Sequence, residues 1–176
     1  MKTNRLVSAL SRATDSAVGG IRIIKLPPTR MATSGDNDLE EFDAWWSKVD
    51  KERTDQFFPR DFMWFDKESK KLVWSCALTS GSTDTGGYDI VDFPGGLYVD
   101  FPGGLYAAAI SRDQDDEDGE RVYAAIKKWV RESGVFALDE RPGHYAMFHV
   151  ITPDEAYRAM GFRQLDIYVP VKIAQR

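Results

Sequence analysis

Val91-Asp92-Phe93-Pro94-Gly95-Gly96-Leu97-Tyr98 is followed at once by the same eight residues, Val99-Asp100-Phe101-Pro102-Gly103-Gly104-Leu105-Tyr106. A looser version stands earlier, where Ile24 to Ala32 reads Ile-Lys-Leu-Pro-Pro-Thr-Arg-Met-Ala. Set against Val99 to Ala107, it gives the same order: a β-branched residue, a charge, a large apolar residue, proline, a turn residue, two further positions, a large apolar residue and alanine. The chain therefore reads as one structural unit used twice. Within the tandem copy, an even repeat length would keep a continuous strand in phase. Proline and paired glycines at each centre argue against such a strand. The expectation is that Val99–Tyr106, aligned with Ile24–Ala32, carries the strand entry, while Val91–Tyr98 extends, bulges or loops out beside it.

Outward from that stretch the pattern repeats. Ile21 to Thr33 alternates and is β-branched, with a break at Pro27-Pro28, where no ladder hydrogen bond can be donated. Asp38 and Glu41 form a helix-capping pattern, and Leu39, Phe42, Trp46 and Val49 follow at helical spacing. Phe62–Phe65 and Leu72–Leu78 are strand-length apolar runs separated by a polar turn, a β-hairpin. Thr79 to Gly87 is a Gly/Ser/Thr-rich break. The second half repeats the order: a strand through the doubled motif into Ile110, a helix with Val122, Ile126, Trp129 and Val130 on one face and Gly134 as its stop, then strands at Tyr145–Ile151 and Leu165–Ile173. Thr152-Pro153-Asp154-Glu155 reads as the cap of a short helix between those strands, closing at Gly161. The fold class expected is α+β: two fused pseudo-twofold β-α-β-β repeats with antiparallel sheet and a cleft between halves. Residues 1–20 are expected to be an arm, and residues 21–176 one domain with halves 21–80 and 88–173.

Composition bounds the function. The 176 residues are 43% hydrophobic and 12% aromatic, with five Trp, seven Tyr and ten Phe, more rings than a core of this size needs. A net charge of −5 argues against a phosphate-binding surface, so direct nucleic-acid binding is not expected. Cys76 is the single cysteine, which excludes an intrachain disulfide and a cysteine-based zinc cluster and fits a reducing, cytoplasmic setting. No apolar run reaches membrane-spanning length.

The residues now in place carry a resemblance. Phe101-Pro102-Gly103-Gly104-Leu105-Tyr106-Ala107, the helix with Trp129 and Ser133-Gly134, and the closing Leu165-Asp166-Ile167-Tyr168-Val169-Pro170-Val171-Lys172 resemble the gyrase-inhibitor-like (GyrI-like) small-molecule-binding family, which includes effector-binding domains of multidrug-responsive bacterial transcription activators. The likeness spans Ile21 to Lys172, and the closing segment is its more specific part. It implies two β-α-β-β units with an aromatic-lined cleft for bulky, flat or cationic organic compounds, often with a buried carboxylate. With only about 20 residues ahead of the domain, a helix-turn-helix is not expected there, and the chain looks like the free-standing form. Some members are hydrolases of cyclopropane-bearing alkylators that use a glutamate two residues after a histidine on the penultimate strand. Here His144-Tyr145-Ala146 places alanine at that site.

The resemblance makes Trp64, Tyr106, Tyr145, Phe148, His149 and Tyr168 the expected ligand-lining residues, since strand side chains rather than helix faces border a cleft between sheets. Rings at such spacings pack cores as readily as they line pockets, and Trp46 and Trp129 sit where core packing alone would put them. His144 and His149, five apart on one expected strand, should point to opposite faces, which disfavours joint metal ligation. Asp166 alternates with Leu165 and Ile167 and reads as solvent-facing, with cation binding by it, Asp89, Asp92 or Asp100 as the sharper alternative. Gly95-Gly96 and Gly103-Gly104 lack the lysine and hydroxyl residue of a phosphate loop, and Asp113–Glu120 lacks calcium-loop spacing. No cofactor, metal or catalytic residue is assigned. The reading is a binding protein for hydrophobic or aromatic small molecules: a sensor, carrier or sequestering protein. A detoxifying hydrolase is the alternative, and an inhibitor acting through an acidic surface a third.

Overall fold

Proline 27 and 28 set the architecture, because a strand cannot run through two residues without amide hydrogens. The computed structural model describes residues 20–26, 29–53, 60–78, 84–93, 104–141 and 144–175. In it the expected first strand is two: β1 (Arg22–Leu26) and β2 (Thr29–Thr33). They are followed by α1 (Leu39–Lys51), β3 (Asp61–Asp66), β4 (Lys71–Ala77), β5 (Asp89–Phe93), β6 (Gly104–Arg112), α2 (Asp116–Ser133), β7 (Phe136–Leu138), β8 (Met147–Val150), α3 (Asp154–Met160) and β9 (Gln164–Ile173). The fold is α+β, and every strand pair within its two units is antiparallel.

Those units do not follow the expected halves. One comprises the chain up to Leu26 together with Gly104 onward; the other is Pro27 to Gly103. The packing boundary thus falls at the proline break and at Gly104, not in the loop at 79–87. In the first unit the strand order is β8-β9-β6-β1, and in the second it is β3-β4-β2-β5. Each is the same series: the third, fourth and second strands of one repeat, then the short first strand of the other. β1, which opens the first repeat, pairs with β6; β5, which opens the second, pairs with β2. The repeat read from the sequence is present, and its leading strand segments are exchanged. β7, three residues that the sequence pattern did not single out, pairs with β9 alongside the Val171–Ile173 stretch.

The registers explain the duplication. Leu26 lies opposite Gly104, and Thr29 lies opposite Phe93. Two residues, 27 and 28, separate β1 from β2, whereas ten, 94–103, separate β5 from β6. The excess is eight, the length of the repeat. Val91-Asp92-Phe93 of the first copy form the end of β5, and Gly104-Leu105-Tyr106 of the second begin β6. Of the first copy, expected to extend, bulge or loop out, Val91–Phe93 extend in β5, and 94–98 lie outside the described residues. The strand entry expected at Val99 is described only from Gly104, with 99–103 outside the described residues. One complete motif is therefore shared between two copies. The older echo holds in packing too: Met31 and Tyr106, and Ala32 and Ala107, occupy equivalent places, and all four are fully buried.

Local chemistry fixes the helices. Asp38 caps α1, its carboxylate accepting from the Glu40 and Glu41 amides at 2.8 and 3.0 Å, an arrangement worth about 1 kcal/mol. Phe42 and Trp46 bury that helix against Cys76, with Trp74 and Tyr88 beside them. Asp115 caps α2 by accepting from the Asp118 amide, and Gly134 ends it at φ +64°. All four residues expected on the α2 face are buried, and they pack on Ala107, Ala109, Ile167, Val169 and Val171. The two alanines leave room for the helix to approach the sheet. At α3 the cap differs from expectation. Pro153 takes the cap position without a side-chain bond, because the Thr152 hydroxyl accepts instead from the Gln164 amide at 2.6 Å, the first residue of β9.

Removing residues 95–102 should restore one Val-Asp-Phe-Pro-Gly-Gly-Leu-Tyr and leave two residues facing two. We expect the shortened protein to keep its circular dichroism spectrum and a denaturant-unfolding free energy within about 1 kcal/mol of the parent, since loop length enters only logarithmically. A loss beyond about 3 kcal/mol would show the second copy to be structural. Gly86, at φ +59°, is a second test: a Cβ there would lie 2.6 Å from the Trp45 ring. Gly86→Ala should lower stability by about 1–3 kcal/mol in the same assay, while the same change at Gly119, where nothing lies within 4 Å, should not.

Candidate functional site

The sheet of the unit containing β6 and β9 has two faces, and α2 covers one of them. Along β9, Leu165, Ile167, Val169 and Val171 belong to that α2 cluster. The alternate set, Asp166, Tyr168 and Pro170, points the other way. Cross-strand partners share a face. Arg22, Ala108, Tyr168 and Met147 form one row across the sheet; Ile24, Tyr106 and Pro170 form a second, and Ile110, Asp166 and His149 a third. The face opposite α2 thus gathers a carboxylate, two tyrosines, a histidine and an arginine around an alanine.

Most of these side chains are out of water, with Arg22 and Ile110 exposed. Tyr106 is fully buried, Tyr168 is 2% exposed, Asp166 5% and His149 6%. This overturns the reading of Asp166 as solvent-facing. Its two oxygens have separate partners: one faces the Arg22 guanidinium, and the other accepts from the Tyr168 hydroxyl at 3.1 Å. The Tyr106 and Tyr168 rings meet edge to face at 6.4 Å between centroids. Of the buried polar and charged residues among those described, Asp166 is the only acid.

A second polar chain holds this face from the loop after β7. His144 accepts or shares the Tyr106 hydroxyl proton at Nε2, 3.3 Å away, and its Nδ1 lies 3.0 Å from the Asp139 carbonyl oxygen. With Nδ1–H donating to that carbonyl, Nε2 is the acceptor and the ring is neutral. The Asp139 carboxylate meets Lys172 at 3.0 Å, and Glu140 binds Tyr123 and Lys127 of α2 at 2.6 and 2.8 Å. The loop is therefore anchored to β9 and to α2. Burial pushes the Tyr106 phenol well above its ordinary range, and the Asp139 charge adds to this. Burial also holds His144 below its ordinary value; Arg141 acts in the same direction and Asp139 opposes both.

Three of the expected lining residues, Tyr106, His149 and Tyr168, share this face. Phe148, the neighbour of His149 in β8, points to the opposite face. Tyr145 precedes β8 and is half-buried, and Trp64 lies on β3 of the other unit. The strand alternation expected to separate His144 from His149 does not reach His144, because β8 begins only at Met147. Arg22, Asp139 and the depth of Asp166 escaped the sequence reading; only the Asp-x-Tyr spacing of Asp166 and Tyr168 hinted at a shared face. Among the described residues no three His, Cys, Asp or Glu side chains converge to hold a metal ion. Cys76 is buried, and desolvation pushes its thiol far above its usual range.

With this geometry established, comparison places the fold. No protein-family model matches the chain, and no curated protein sequence matches it significantly. Solved structures do. The chain aligns with EcmrR, in its DNA complex within an open promoter assembly, at a TM-score of 0.60 and 13% identity, over 98% of this chain and 65% of that one. The protein thus spans just under two thirds of EcmrR. With the crystal structure of the EcmrR C-terminal domain the TM-score is 0.57 at 13% identity, covering 88% of this chain and 98% of that domain. With a hydrolase from Listeria innocua it is 0.54 at 11%, over 86% and 91%. At the level of fold, the GyrI-like resemblance holds.

The depressed His144 value carries a pH dependence. The unfolded chain binds this proton near pH 6.5, and the folded one only at lower pH, so the contribution is complete above about 6.5 and lost as pH falls. We expect urea midpoints to decline from pH 7.5 toward 5, and His144→Gln to remove part of that slope. Identical slopes for both proteins would exclude His144 as its source.

Proposed function

We propose that this protein binds aromatic, cationic small molecules at the Tyr106–Asp166–Tyr168 face, as a sensor, carrier or sequestering protein without direct nucleic-acid contact. The observation that carries the reading is the buried Asp166 carboxylate set beside two tyrosine rings. A carboxylate out of water requires a positive partner, and tyrosine faces attract flat or cationic groups. Together they select a ligand with both properties. The shared fold with the C-terminal domain of EcmrR supports the class of protein. His149, the register partner of Asp166, is proposed as a further contact.

A hydrolytic reading rests on that same His149 and Asp166 pairing and on the fold shared with the Listeria innocua hydrolase. One feature weighs against it: Ala146 stands where the resembling hydrolases carry glutamate.

Calorimetric titration with N-methylphenanthridinium should give saturable binding with a dissociation constant on the order of micromolar. Asp166→Asn should weaken binding of the cation by about tenfold and leave its neutral parent, phenanthridine, little changed. Tyr168→Ala should weaken both, by a similar factor. No saturable heat with the cation, in a protein whose fold is verified, would sink the proposal. So would equal affinities for the Asp166→Asn variant and the parent.

A further inference from the structure

We infer that Arg22 is a built-in competitor: its guanidinium occupies the Asp166 carboxylate in the free protein, and a cationic ligand binds by taking its place. The inference rests on the binding reading above and goes beyond it by naming what sets affinity and charge selectivity.

The two members of the pair are unequally placed. Asp166 is central in the sheet and its side chain is 7% exposed, whereas the Arg22 side chain is 49% exposed. Arg22 stands on β1, the short strand lent to the edge of this sheet, and its row neighbour on β6 is Ala108. A methyl group at that position leaves the surface of β6 low. The arginine side chain crosses it diagonally, from the row of Tyr168 to the row of Asp166. With a larger residue at 108 the reach would be blocked.

Energetics follow from this asymmetry. Asp166 cannot be left without a cation, because a buried, unpaired carboxylate carries the full cost of desolvation. Arg22 loses little by leaving, because its side chain is already half exposed and can complete its hydration in water. An organic cation therefore exchanges for Arg22 with the carboxylate paired throughout. The exchange lowers apparent affinity by the fraction of time that Arg22 occupies the site. It also sets a selection rule. A neutral aromatic molecule cannot displace the guanidinium from the carboxylate without stranding Asp166, so cations are favoured.

Arg22→Ala and Arg22→Gln, checked for folding by circular dichroism and thermal melting, are the test, with N-methylphenanthridinium and phenanthridine titrated by calorimetry. Arg22→Ala should bind the cation about tenfold more tightly than the parent, Arg22→Gln by less, and phenanthridine should change by under about threefold. Arg22→Lys, which restores a competing charge, should return cation affinity toward the parent value. In Arg22→Ala/Asp166→Asn the gain should vanish. If the parent binds the cation and Arg22→Ala binds it equally or more weakly, the competitor role is wrong while the binding reading stands. If neither binds it, the binding reading itself fails and the inference with it. Binding by Arg22→Ala alone would support both.

Discussion

The missing amide hydrogens of Pro27 and Pro28 are the constraint on which the rest depends. They end β1 at Leu26 and let the chain begin a new strand at Thr29, so the two segments find different partners. The second repeat has its own break between Phe93 and Gly104. Each four-strand order is then completed by a strand from the other repeat. Neither repeat owns all of its sheet. An exchange of this kind leaves a short edge strand, and β1 brings Arg22 to the sheet that carries Asp166.

The two faces of that sheet divide the work. Alternation along β9 sends Leu165, Ile167, Val169 and Val171 to α2 and Asp166 and Tyr168 to the reverse side. The α2 side is apolar, and its small alanines on β6 permit close packing. The reverse side holds polar groups in low-dielectric surroundings, where each must be matched. Arg22 and Tyr168 match Asp166, and His144 links Tyr106 to Asp139. On that side Arg22 is the cation the protein itself supplies to Asp166.

The tandem repeat proves less central to function than its prominence in the sequence suggests. Its eight residues equal the excess of the β5–β6 connection over the β1–β2 connection. Only one set of motif residues is needed to end β5 and begin β6. The older correspondence, Ile24–Ala32 with the composite of the two copies, is what places Met31 and Tyr106 in equivalent buried positions.

Sequence alone determined the repeat, the helices with their Asp38 and Gly134 boundaries, the β3–β4 hairpin and the phase of the apolar residues on β9. These follow from local rules: proline lacks an amide hydrogen, glycine tolerates positive φ, and side chains alternate along strands. Tyr106, Tyr168 and His149 were named as candidates because the GyrI-like resemblance implies a cleft that strand side chains would border. Tertiary structure alone decided that β1 and β5 are exchanged, that β8 starts too late for His144 to follow its alternation, and that Thr152 serves β9 instead of capping α3. It also decided that Asp166 is buried. An acid alternating with Leu165 and Ile167 faces away from one core, and only long-range packing determines whether that second face meets water. Its partner Arg22 lies 144 residues away in sequence, a separation across which no local pattern carries information.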